Sequence, residues 1–140
     1  MAGRLNQQKR YDRALRLIKA LSDKSIDVEM WILVEGELRE ILMSLANKLG
    51  ILDRCRFWGF VKPPYPYMRA ADIYLNTSEA EGYPLVLCEA LCLGLPIVAT
   101  DITGAHEILE DSPSSVEEDD LFEYLSDISI VVFLSCLNTV

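Results

Sequence analysis

Histidine is nearly absent from this 140-residue chain: His106 is the only one, so the clustered ligands of a zinc site are lacking. Four cysteines, Cys55, Cys88, Cys92 and Cys136, form no Cys-x-x-Cys pair. Cys88 and Cys92 are spaced to share a helix face as small apolar residues, and a reduced, intracellular setting fits. No apolar run reaches the roughly 20 residues that a membrane-spanning helix needs. The apolar tail from Ile128 to Val140 falls short of that and reads as a core strand or a non-native end. Near the start stand Gly3, Arg4, Asn6 and Gln7 rather than the apolar run of a signal peptide. Lys and Arg are missing from half of the chain. All 13 lie in residues 1–69 beside 8 acids, whereas residues 70–140 carry 14 acids and no base. The net charge of -9 argues against nonspecific binding to nucleic acid or anionic lipid. The asymmetry points to a second half whose charge is balanced by something outside it.

With 51% hydrophobic residues, the length suits one domain with a sizeable core. Strand and helix signals alternate, the pattern of an α/β parallel sheet flanked by helices. Tyr11, Ala14, Leu15, Ile18 and Leu21 follow helical spacing, and Val28 to Val34 reads as a buried strand. A second helix carries the stripe Leu38, Ile41, Leu42, Leu45, Ala46 and Leu49 and stops at Gly50. Strands are predicted at Arg56 to Trp58, Asp72 to about Thr77 and Pro96 to Thr100, with a short helix after Pro63 to Tyr67. No internal repeat is apparent.

The most informative stretch runs from Ser78 to Ala90: Glu81 and Glu89, seven residues between them, straddle a turn that opens a helix closed by Gly94. Pro84 sits where a first helical residue has no intrahelical N–H partner to lose. The helix start therefore aims backbone N–H groups at the strand ends, where oxygen-rich ligands bind in parallel sheets. Gly82 allows close approach, and the Gly82-Tyr83 N–H groups could hold hydroxyls or phosphate; Tyr83 could equally be a packing aromatic. Ser78 lines the pocket or simply makes a turn, and Glu79 reads as solvated. Arg4 and Lys9 lie on one strand-to-helix loop, where a planar fork and a flexible point charge could reach neighbouring phosphate oxygens. The alternative is two solvated surface cations. His106 falls before a helix, in a surface position.

Together, Glu81 to Glu89 with Gly82-Tyr83-Pro84, Gly3-Arg4-Leu5 with Lys9, and Glu35-Gly36-Glu37-Leu38-Arg39 resemble the donor-binding, C-terminal lobe of a retaining GT-B glycosyltransferase of family four, the glycosyl transferases group 1. Phe57-Trp58-Gly59-Phe60-Val61, Gly94 to Asp101 and Gly104 to Ile108 fall in the same order. The resemblance covers about residues 3–109. It implies a Rossmann-like doubly wound lobe, truncated, spanning 1–110; residues 111–140, beyond the resemblance, read from their own composition as an acidic linker and apolar tail. It also implies Glu81, Arg4 and Lys9 as catalytic. Glu89 would accept hydrogen bonds from both ribose hydroxyls, and Gly82, Tyr83, Pro84, Leu85, Ser78, Gly3 and Gly36 would line the donor. Val34 departs from the pattern, standing where the family usually has the first glycine of a Gly-x-Gly turn.

The activity so implied is transfer of a sugar from a nucleoside diphosphate sugar to an acceptor hydroxyl, without cofactor or metal. Retention would proceed by same-face attack, the leaving diphosphate helping to deprotonate the acceptor. The acceptor glycan or glycolipid would enter through an N-terminal lobe that this sequence lacks, so the chain alone is expected to be inactive. Polysaccharide or glycolipid assembly on the cytoplasmic side of a membrane, soluble or peripheral, is the expected setting. Alternatives are a degenerate nucleotide-binding fragment and one lobe of a GT-B sugar-nucleotide epimerase.

Overall fold

The computed structural model describes residues 7–100, 102–109 and 130–134. A short 3-10 turn, Gln7–Lys9, leads into α1 (Tyr11–Asp23), and β1 (Val28–Ile32), α2 (Arg39–Lys48) and β2 (Cys55–Phe57) follow. Then come α3 (Tyr65–Ala70), β3 (Ile73–Asn76), α4 (Leu85–Cys92), β4 (Ile97–Ala99), α5 (Thr103–Leu109) and β5 (Ile130–Leu134). Every pairing is parallel, in the order β2-β1-β5-β3-β4. This is the predicted α/β architecture.

The chain winds outward from β1 to β2 on one side and from β3 to β4 on the other, with β5 between. Val28 to Ile32 pair with Ile130 to Leu134 in full register, and Ile73 and Tyr74 pair with Val132 and Phe133. Five consecutive apolar residues, Ile-Val-Val-Phe-Leu, suit a strand enclosed by neighbours on both edges. Of the two readings of the apolar tail, the core strand is what these five residues form. The flanking parts of 111–140 lie outside the described residues.

Two apolar clusters fill the space between sheet and helices. One gathers Tyr11, Leu15, Ile18 and Leu21 of α1 with Met30, Ile32, Leu42, Ala46 and Leu75; the other gathers Met68, Tyr74, Val86, Leu87, Ala90 and Ile97. Ile41 departs from its expected stripe and is 62% exposed. At about 100° per residue it lies roughly a quarter turn from Leu42, beyond the arc that the sheet and α1 cover. Val34 is buried and its φ is not positive, so it does not take the left-handed backbone open to a glycine at that place. His106 lies within α5 rather than in a loop before a helix. Gly50 and Gly94 follow α2 and α4 with φ of 71° each, ending those helices as expected.

Cys55, at the start of β2, is 7% exposed, and burial, with Asp53 and Glu29 nearby, pushes its thiol up to about 12. The folded chain therefore keeps Cys55 neutral at pH values where the unfolded chain, near 9, gives up its proton. Stability is fully present below pH 9 and drains away between 9 and 12. Urea melts across that window should show a fall that is shallower in Cys55→Val; equal slopes would mean that the thiol is not shielded.

Candidate active site

Winding changes direction at β5, and the loops after β1 and β3 flank that point at the carboxyl end of the sheet, where parallel α/β folds bind ligands. Thr77 to Pro84 form the loop after β3, and the 3-10 turn before α1 lies against it. Lys9 Nζ sits 2.7 Å from Glu81 Oε1, both side chains only about a tenth exposed, at 11% and 10%. The Ser78 hydroxyl also donates to Glu81 Oε1. Ser78 is buried, its N–H donating to Asn76 Oδ1 at 3.0 Å while its carbonyl accepts from the Thr100 hydroxyl. Glu81 is thus fixed by two donors from separate parts of the chain.

Glu89 lies just over one turn into α4. Its Oε1 accepts a hydrogen bond from the Tyr65 hydroxyl at 3.2 Å, and its Oε2 is buried with no partner among the described residues. The charge of Glu89 pushes the Tyr65 hydroxyl above its usual range. Tyr65 starts α3, and α3 is seated by an edge-to-face trio: Trp58 and Tyr67 lie 5.4 Å apart, Trp31 and Trp58 6.0 Å, Trp31 and Tyr67 6.3 Å. Asn76 Nδ2, at the end of β3, is a second buried polar atom without a partner among the described residues.

Other expected site residues fall out differently. Pro84 precedes the helix, with ψ of 86°, rather than forming its first turn, and α4 begins at Leu85. Because Pro84 has a ψ outside the helical range, it takes the half-in capping position, where backbone angles are free to be non-helical. Tyr83 is 61% exposed, so it is not a packing aromatic; its hydroxyl and the Cys88 thiol share a hydrogen bond at 3.6 Å, and this bond and the charge of Cys88 hold the Tyr83 hydroxyl above its usual range. Cys92 is exposed, so of the two expected apolar thiols only Cys88 is sheltered, and only in part. Leu85 is 48% exposed at the helix start. Gly82 has open space where a side chain would point. Gly36 lies in the β1–α2 connection, its carbonyl accepting from the Arg39 N–H at 3.1 Å. Gly3 and Arg4 lie outside the described residues.

Three residues escaped the sequence reading. Tyr65 is 24 positions from its partner Glu89. Gly104, at the start of α5, packs against the loop so closely that a Cβ there would meet the Gly82 carbonyl oxygen at 2.4 Å and that of Glu81 at 2.7 Å. Thr77, read only as the end of a strand, is buried with its hydroxyl donating to the Lys9 carbonyl at 2.9 Å, whereas Glu79 is solvated as read, 57% exposed beside Arg10 at 3.2 Å and Arg13 at 3.4 Å. Of these, only the glycine left a sequence signal, within Gly104 to Ile108.

The family model for glycosyl transferases group 1 matches residues 1–129. The chain belongs to this family. An uncharacterized glycosyltransferase of Methanocaldococcus jannaschii is 35% identical over 108 residues, 76% of this chain and 27% of the relative. The N-acetylgalactosamine-N,N'-diacetylbacillosaminyl-diphospho-undecaprenol 4-alpha-N-acetylgalactosaminyltransferase of Campylobacter jejuni is 34% identical over 110 residues, 78% of this chain and 29% of that enzyme. WaaG, a glycosyltransferase involved in lipopolysaccharide biosynthesis, superposes with a TM-score of 0.75 at 23% identity, over 89% of this chain and 35% of WaaG. The pneumococcal O-GlcNAc transferase GtfA, in complex with UDP and GlcNAc, superposes at 0.72 and 20% identity, over 89% of this chain and 25% of GtfA. These structures share the GT-B fold. This group 1 chain thus spans about a third or less of each of these relatives.

Proposed function

We propose that this chain is the donor-binding part of a retaining glycosyltransferase, its loop after β3 holding a nucleoside diphosphate sugar. The observation that carries the reading is Lys9 set against Glu81 at the winding switch, 2.7 Å apart and nearly enclosed. An ammonium has three donors, so Lys9 can keep Glu81 and still offer N–H groups to diphosphate oxygens. Glu81 would accept from sugar hydroxyls and lie beside the positive charge that develops at the anomeric carbon. One turn on, the unpartnered Oε2 of Glu89 suits a ribose hydroxyl, with Tyr65 orienting the carboxylate through its other oxygen.

In the reaction the anomeric carbon–oxygen bond to the diphosphate breaks as the acceptor oxygen bonds to the same face. The diphosphate leaves with the electron pair and helps to take the acceptor proton. Positive charge from Lys9, and from Arg4 by family resemblance, offsets the charge that builds on the leaving group, so the reading needs no metal. Among the described residues no helix is long and apolar enough to cross a membrane. UDP bound to GtfA and the lipopolysaccharide role of WaaG support a nucleotide sugar donor and a glycan or glycolipid acceptor. The acceptor side is assigned to a separate lobe, and negligible transfer is expected from the 140 residues alone.

Calorimetric titration of UDP, GDP and ADP tests the reading. One nucleotide should saturate, and Glu89→Ala and Lys9→Ala should each weaken it by about 1–3 kcal/mol. No binding in a folded chain would favour the degenerate fragment.

A further inference from the structure

Lysine is a flexible four-carbon stem, so the place of its ammonium is set by where its backbone is anchored. The anchor of Lys9 cannot hold itself. It ends a three-residue 3-10 turn, and Arg10 after it has a left-handed φ of 47°, costly for a residue with a Cβ. Such backbone persists only where its surroundings over-determine it, and here the loop after β3 does so. The Thr77 hydroxyl donates to the Lys9 carbonyl at 2.9 Å and the Arg10 carbonyl at 3.1 Å, one hydrogen shared between both sides of the strained junction. Thr77 is 7% exposed, so little water competes. The Glu79 N–H donates to the Gln8 carbonyl at 2.8 Å, and its carboxylate takes Arg10 and Arg13.

We propose that Thr77 and Glu79 are positioning residues of the donor site, clasping the Lys9 segment so that the ammonium is presented to Glu81 and to the diphosphate. What Lys9 meets rests on the donor-site reading; how Lys9 is held rests on these contacts alone. None of the hydrogen bonds and ion pairs that form the clasp involves Glu89 or Tyr65, so it acts on the phosphate end of the proposed site rather than the nucleoside end.

The experiment uses the 140-residue chain in wild-type, Thr77→Val, Thr77→Ser and Glu79→Gln forms, each checked for cooperative melting. Without ligand, acetylation of Lys9 by an activated acetate ester, followed by peptide mass spectrometry, reads how firmly the ammonium is held. Thr77→Val should react roughly tenfold faster, the loss of about one shared hydrogen bond. Thr77→Ser should return towards wild type, and Glu79→Gln should react a few-fold faster. Titration with UDP, GDP and ADP and with the matching nucleosides should show a roughly tenfold loss for the diphosphate in Thr77→Val and none for the nucleoside. Unchanged Lys9 reactivity in Thr77→Val and Glu79→Gln would overturn the clasp, whatever the nucleotides do. Equal losses for diphosphate and nucleoside would overturn the positioning role, pointing to a general loosening. If Thr77→Val does not fold, Thr77→Ala, which removes the same hydroxyl with a smaller side chain, decides by the same two readouts. Faster acetylation with no wild-type nucleotide binding would sink the donor reading and leave the clasp standing.

Discussion

Glu81→Ala is expected to lower the unfolding free energy by about 3 kcal/mol, more than any exposed ion pair is worth. The change strands two groups at once. Lys9, only 11% exposed, loses its counter-charge, and the buried Ser78 hydroxyl loses its acceptor. An unpaired buried cation costs several times what the intact pair contributes. Glu81→Gln keeps an acceptor oxygen for both donors while discarding the charge, so its loss should be about 1 kcal/mol. Urea melts of the three proteins test the ordering. An alanine variant as stable as wild type would show that Lys9 is solvated, and the enclosed pair would lose its meaning.

Gly104→Ala should cost about 2–3 kcal/mol, the upper part of the usual range for forcing atoms into a filled space. The new methyl would meet backbone carbonyl oxygens of Gly82 and Glu81 at 2.4 and 2.7 Å, and no side chain can swing aside to relieve that. The loop cannot yield cheaply either, being tied through Ser78, Thr77 and Glu79 to Asn76, Thr100 and the Lys9 turn. If it does yield, Glu81 moves with it, so nucleotide affinity falls although Gly104 is no part of the proposed ligand contacts. Gly82→Ala is the counter-case. With open space before it and no left-handed φ, it should change stability by no more than about 0.5 kcal/mol. Its effect should fall on ligand affinity, since the space it fills is where a ligand would approach. Thermal melts with parallel titrations separate the two, and a harmless Gly104→Ala would mean that α5 does not pack on the loop.

Local pattern made much of this readable in advance. The α1 stripe, the β1 run and the Pro84 turn each follow from residues within about ten positions of one another, and Glu81 and Glu89 stand out because their spacing is local. What stayed hidden depends on contacts between distant segments. Tyr65 reaches Glu89 only because Trp31, Trp58 and Tyr67 seat α3 on the sheet. Thr77 looks like the end of a strand until the Lys9 turn, 68 positions earlier, is brought against it. Glu79 is solvated as its sequence context says, and only its two arginines, 69 and 66 positions away, stayed hidden. Ile41 misled for the opposite reason: its spacing was right, but the neighbours cover too narrow an arc to enclose it.

The central place of β5 has a kinetic side. Among the described strands it is the last to be made, yet it alone joins β2-β1 to β3-β4. Among the described strands, Ile130 to Leu134 are what the facing edges of β1 and β3 pair with, so before these five residues are made each half-sheet keeps an open edge. Contacts spanning about a hundred residues between β1 and β5 are slow to close, and open apolar edges invite pairing between chains in the interval. The described sheet is therefore joined at its middle by the latest-made of its strands, and the interval before that closure is when its open edges meet other chains.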